Sequence, residues 1–176
     1  PAAGELLRDN VFQALFIAMF AGTFAGLLVI GNLKPLAVAN GFSPALAALA
    51  ISALAVGNAA GRISWGFLAD RMQKKALPAS LIFFILILIL LKPFCSTGLT
   101  FVAISALIGF SFGSCFVVHP AQVGIHYGPE QVGGIYPFVF LAYGVAGIAG
   151  PVTGGWLYDF TGSYNSAVTV SLLLLI

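Results

Sequence analysis

The chain alternates long apolar runs with short polar punctuation. Its charged side chains leave uncharged intervals at 10–33, 35–61, 76–91, 93–129, 131–158 and 160–176. A helix that crosses a bilayer needs about 20 mostly apolar residues. The 93–129 interval is too long for one such helix. It reads as a span followed by a polar turn through His119, Pro120, Gln122, His126 and Gly128-Pro129. The pattern therefore predicts six spans, near 11–33, 44–68, 77–94, 99–119, 132–157 and 165–176, with a loop at 69–76. Ser43-Pro44 supplies an N-cap followed by a proline in the first turn, and Pro78 opens the third span in the same way. A membrane β-barrel would alternate apolar and polar positions, whereas Phe83–Leu91 is apolar throughout. The expected class is an all-α membrane protein.

Composition agrees with that reading. Of 176 residues, 60% are hydrophobic and 7% charged, against about 25% charged in a soluble domain. Mean hydropathy is +1.07. A disordered chain, a disulfide scaffold and a nucleic-acid binder are excluded. Cys95 and Cys115 lie in or beside apolar runs, which argues against a disulfide between them. Arg8, Arg71, Lys74 and Lys75 fall on one side of the predicted topology, Lys34 and Lys92 on the other. That bias places the 69–76 loop in the cytoplasm. The chain begins at Pro1, and its last apolar run stops at Ile176 without a cap, so a piece of a longer polypeptide is expected.

The chemistry within the spans is sparse. Arg62 lies well inside the second span, about 12 Å of helix rise before Asp70. An intramembrane arginine costs about 2.5–3.5 kcal/mol to insert and usually faces a cavity or a partner. Asn58 precedes it by four residues on the same helix face. The plainer alternatives are that Arg62 snorkels to the interface or pairs with Asp70. Tyr136, Phe140 and Tyr143 form an aromatic face on the fifth span, a pattern that serves packing or a cavity wall. Pro137 and Pro151 are candidate kinks there. His119, Gln122 and His126 lack metal-site spacing, and no metal or cofactor is expected. The spans contain no Asp or Glu. No phosphate loop, zinc-protease motif or nucleophile elbow is present, so an enzyme is not indicated. Gly22/Gly26, Gly57/Gly61, Gly109/Gly113 and Gly150/Gly154 each form the small-residue pair that lets membrane helices approach closely.

The stretch Gly66-Phe-Leu-Ala-Asp70-Arg71-Met-Gln-Lys74-Lys75 resembles the G-x-L-a-D-R-x-G-R-K loop of the major facilitator superfamily, with Gln73 where that motif has glycine. Gly150-Pro151-x-x-Gly154-Gly155 partly matches the fifth helix of drug antiporters, which would imply an N-terminal half. The longer run Gly150-Pro151 to Asp159-Phe-Thr161-Gly162-Ser163-Tyr164 resembles the end of helix 11 in the oxalate/formate-antiporter and monocarboxylate-transporter branch. Glu5-Leu-Leu-Arg8 and Gly26 to Gly31 are similar to helix 7 of that branch. This resemblance implies the C-terminal half of a facilitator, helices 7 to 12 with the last truncated. A preceding six-helix half of the same polypeptide would complete it.

That resemblance also implies a role for single residues. Arg62 falls where helix 8 supplies a cavity arginine for a substrate carboxylate, a fit that the guanidinium fork explains. Asn58 stands where monocarboxylate transporters carry Asp, and Tyr143 where oxalate exchangers present a Lys. One cavity cation instead of two favours a monoanion. The implied substrate site comprises Arg62, Asn58, Tyr143 and Tyr136, and the implied loop Gly66, Asp70, Arg71, Lys74 and Lys75. The expected function is secondary active transport of small organic anions in the cell's inner membrane. The alternatives are a drug or sugar facilitator, or a non-transporting anchor or sensor domain.

Overall fold

Asp9 starts the first long helix. Its carboxylate accepts from the N–H groups of Val11 at 2.7 Å and Phe12 at 3.2 Å, which satisfies two donors that have no partner within the helix. The computed structural model describes residues 3–94 and 97–175; Cys95 lies outside these, as does the Lys92 side chain. The described elements are α1 (Ala3–Leu6), α2 (Asn10–Gly31), α3 (Leu33–Ala39), α4 (Pro44–Met72), α5 (Ala76–Phe94), α6 (Gly98–Tyr127), α7 (Val132–Thr161) and α8 (Asn165–Leu175). No strand occurs among the described residues.

The caps follow from local chemistry. Ser43 Oγ accepts from Leu46 N at 3.2 Å and Pro44 opens α4. Thr97 and Thr100 form a reciprocal capping box at the start of α6. Gly128 at φ 95° closes α6, and Gly162 at φ 68° closes α7. Both are left-handed positions where glycine carries no Cβ penalty.

Four continuous helical stretches are long and apolar enough to cross a membrane: Asn10–Gly31, Pro44–Leu91, Gly98–Tyr127 and Pro129–Thr161. The second is two helices, because the chain turns at Gln73 between α4 and α5. α8 is a shorter apolar helix. Three helices outrun the spans read from hydropathy. α4 continues to Met72, α7 to Thr161, and α6 passes through Pro120 to Tyr127. His119 and Gln122 are therefore buried in a helix and do not form a polar turn. Proline deletes only one N–H, and packed membrane helices tolerate that loss.

Two helix pairs organise the packing. α4 and α6 share the most extensive contact, followed by α2 and α7. In the first pair, glycines of both helices face the partner's backbone. A Cβ at Gly57 would run into the Ala106 carbonyl, at Gly61 into that of Phe110, and at Gly109 into that of Leu54. In the second pair, Gly150 lies against the backbone of Phe24 and Leu28, where a Cβ would sit 3.1 Å from both. Asn32 Nδ2 donates to Leu28 O at 2.9 Å and across to Pro151 O at 3.3 Å. Dispersion between closely apposed backbones holds these pairs, because lipid offers little hydrophobic drive between helices. Leu28, Phe84, Leu88 and Ile108 fill the main core between α2, α5, α6 and α8.

Candidate functional site

The α4–α6 seam sets the position of Arg62. A Cβ on Gly113 would stand 2.6 Å from Asn58 O and 3.0 Å from Arg62 N, so α4 can lie this close only because Gly113 has none. One turn along, Phe116 emerges from α6 beside the arginine. The Arg62 Cζ sits 4.5 Å from the Phe116 ring centroid, within the range at which a cation is drawn to an aromatic face. Arg62 Nε donates to Asn58 Oδ1 at 3.0 Å. Among the described residues this is the guanidinium's one hydrogen bond. Arg62 is exposed on the open side of this chain, and no ion pair links it to Asp70.

The far wall belongs to α7. Phe116 meets Tyr143 edge-on, with ring centroids 5.3 Å apart at 81°. Phe140 lies 5.0 Å from Tyr143 and 5.6 Å from Tyr136. The predicted aromatic face is thus continuous with the arginine through Phe116, a residue that the sequence did not single out. With 16 Phe in the chain, its type alone carries no signal. Its spacing of three from Gly113 of a small-residue pair is the signal that could have marked it. Asn58, Tyr136 and Tyr143 are each half-buried, and neither tyrosine hydroxyl has a hydrogen-bond partner among the described residues.

The arrangement has a clear chemical capacity. Asn58 and Phe116 hold the guanidinium by one edge and one face, leaving its Nη groups to donate. Two parallel N–H bonds match a carboxylate. Asn58 is neutral and does not cancel the positive charge.

The loop residues lie apart, at the end of the bundle where α4 turns into α5. Gln73 adopts φ 50°, ψ −126°, the one non-glycine residue at positive φ among the described residues. The turn is therefore kept where the motif has glycine, and hydrogen bonds clamp it. Gln73 Nε2 donates to Asp70 O at 2.6 Å, and the buried Gln122 Nε2 donates to Gln73 O at 2.8 Å. Arg71 stacks on Phe67 with its Cζ 4.1 Å from the ring centroid. The Asp70 carboxylate makes no hydrogen bond among the described residues. Gly66 has open space around its missing Cβ.

The Thr161-Gly162-Ser163-Tyr164 run also gains a physical account. Thr161 Oγ1 donates to Leu157 O at 2.6 Å and accepts from Ser163 N at 3.3 Å. Tyr164 is buried and stacks on Tyr158, centroids 4.3 Å apart at 18°. These residues build the turn into α8, far along α7 from Tyr136.

Long apolar helices packed through glycine seams describe a multi-pass integral membrane protein. The model of the Major Facilitator Superfamily matches residues 14–176, and the chain belongs to that family. It is 26% identical to the oxalate:formate antiporter of Oxalobacter formigenes over 174 residues, 97% of this chain and 41% of the antiporter. It is 29% identical to human monocarboxylate transporter 14 over 167 residues, 93% of this chain and 32% of that protein. Apicoplast pyruvate carrier 1 of Toxoplasma gondii is 32% identical over 95 residues, 53% of this chain and 17% of the carrier. The chain thus spans well under half the length of the relatives it matches.

Proposed function

We propose that this chain forms one half of a secondary transporter for small organic anions, with Arg62 binding the substrate carboxylate. The observation that carries the reading is the state of the Arg62 guanidinium: held by Asn58 and Phe116, and unpaired by any acid among the described residues. Asn58 fixes its orientation, Phe116 supports its face, and Tyr136 and Tyr143 line the opposite wall. A monoanion with a small apolar body fits one cation beside an aromatic wall, whereas a dianion would call for a second cation from elsewhere in the polypeptide. The names of the relatives, an oxalate:formate antiporter, a monocarboxylate transporter and a pyruvate carrier, support the same substrate class.

In this reading a second six-helix half of the same polypeptide faces the open side and closes the site, as in transporters built from repeats around a midplane site. The basic loop lies on the cytoplasmic side, and the protein resides in the cell's inner membrane. The test is uptake of labelled formate, oxalate and pyruvate by the full-length protein in liposomes. Arg62→Gln is expected to abolish uptake, and Arg62→Lys to reduce it strongly, because an ammonium lacks the planar fork. Full uptake by Arg62→Lys would remove the role given to Arg62.

A further inference from the structure

At the basic end of the bundle, a cavity of about 310 Å³ opens between α2, α5 and α6. Its lining is divided by chemistry. Asn10, Lys74, Gln122 and His126 are the polar members; Val11, Ala14, Leu15, Leu77 and Pro78 are apolar. Asn10 is the first residue of α2, Lys74 lies in the turn before α5, and His126 is in the last turn of α6. The polar groups therefore sit at the helix ends. Ala14 and Leu15 lie a turn deeper in α2.

The donors at the polar end are unspent. Neither the Lys74 ammonium nor the Asn10 amide has a hydrogen-bond partner among the described residues. His126 Nδ1 is engaged with Gln122 O at 2.9 Å. The neighbouring Asp9 carboxylate accepts from the N–H groups of Val11 and Phe12 and lies near enough to His126 to interact with it electrostatically, so Lys74 is the cavity lining's cation that no acid faces among the described residues. Gln122 is anchored to Gln73 O, which fixes the turn that carries Lys74. The cavity thus presents the Lys74 ammonium and the Asn10 amide above an apolar groove with small side chains, Ala14 and Pro78, on its sides.

We propose that this cavity binds an anionic glycerophospholipid, its phosphate on Lys74 and Asn10 and the start of one acyl chain along Ala14, Leu77 and Pro78. A free phosphate would use the rim alone. The apolar half of the lining argues for the lipid. Basic pockets between helix ends are suited to such headgroups, and each lysine near an anionic surface contributes about fivefold in affinity.

The experiment uses the full-length protein, delipidated in detergent and titrated with phosphatidylglycerol, phosphatidylcholine or inorganic phosphate. Lipid-dependent thermal unfolding and the lipid retained in native mass spectrometry are the readouts. Phosphatidylglycerol is expected to raise the unfolding midpoint and to be retained. Lys74→Gln should weaken it about fivefold, while Lys75→Gln, outside the cavity, leaves it unchanged. Ala14→Phe, or the smaller filler Ala14→Leu, should also weaken it although neither alters charge. Equal losses in Lys74→Gln and Lys75→Gln would reduce the site to diffuse surface charge and overturn the proposal. So would an unaffected Ala14→Phe, an equal response to phosphatidylcholine, or full stabilisation by inorganic phosphate.

Discussion

The guanidinium of Arg62 stands 4.5 Å from the centre of the Phe116 ring, three residues along α6 from the glycine that lets α4 come so near. Charge, aromatic support and helix seam are therefore one structural unit, and each can be disturbed separately.

Removing the aromatic support should loosen the arginine without removing its charge. Phe116→Ala is expected to raise the KM for the transported anion about threefold to tenfold, as an exposed to partly desolvated cation–π contact implies. Phe116→Tyr should retain near-normal KM. Initial uptake rates over a range of substrate concentrations in liposomes separate the two variants.

Adding an acid beside Arg62 should do the opposite of a support loss. Asn58→Asp places a carboxylate where Oδ1 now accepts from Nε at 3.0 Å, and that internal anion competes with the substrate. Anion affinity is expected to fall up to about fivefold, as an exposed charge pair of up to about 1 kcal/mol implies. Asn58→Ala should cost less, because it removes a guide and adds no competitor. Equilibrium binding of labelled substrate by the two variants gives the order.

The seam predicts a contrast between two glycines of similar sequence surroundings. Gly113→Ala forces α4 outward against the Asn58 carbonyl and the Arg62 amide and should destabilise by about 1–3 kcal/mol. Gly66→Ala meets open space and should be neutral or stabilising by up to about 1 kcal/mol through helix propensity. Denaturation in detergent micelles measures both.

Gln73 holds a backbone conformation that suits glycine. Gln73→Gly is expected to leave stability unchanged or slightly raised, since relief of strain offsets the lost amide contact. Gln73→Val should destabilise by about 1–3 kcal/mol, because a β-branched residue at positive φ is more strained and also lacks the hydrogen bond. The same unfolding measurement distinguishes them.

The cap of α2 makes a prediction in pH. Hydrogen bonds from Phe12 and Val11 N–H hold the Asp9 carboxyl below its ordinary value of 3.8. The unfolded chain then binds a proton more readily than the folded one. The stabilisation is complete above the unfolded value and is lost as pH falls through the lowered folded value. Wild-type protein should lose melting temperature relative to Asp9→Asn as pH drops from about 5 towards 3, since asparagine caps without titrating.

The polar outliers were the legible part of this molecule. Arg62 and Asn58 stand out because a charge within an apolar run has few places to go, and i, i+4 spacing fixes their common face. Gly57, Gly61, Gly109 and Gly113 were legible as a motif, but which helices they join is a tertiary fact with no local trace. Phe116 was hidden for the same reason, as one Phe among many set beside Arg62 by the packing of another helix. The end of α6 was misread because hydropathy falls at His119 while the helix does not. Gln122 bonds to Gln73 across the bundle, and the buried His119 meets Cys115 O of its own helix through Nδ1 while its Nε2 has no partner among the described residues. Gln73 looked like a departure from a motif; the backbone shows the same turn made with a less suitable residue.

The glycine seam has a mechanical consequence. Helices that touch through backbone have no long side chains to slide or repack, so α4 and α6 form a stiff plate that carries Arg62 and Phe116 together. α7 is built differently, with Pro137 and Pro151 within the helix and Gly144 and Gly147 facing open space. α7 is in turn held to α2 through Gly150, so the two walls around the arginine belong to two separate glycine-packed pairs, α4–α6 and α2–α7. Any movement within this half should therefore be sought between the two pairs, at the junction where Phe116 of α6 meets Tyr143 of α7.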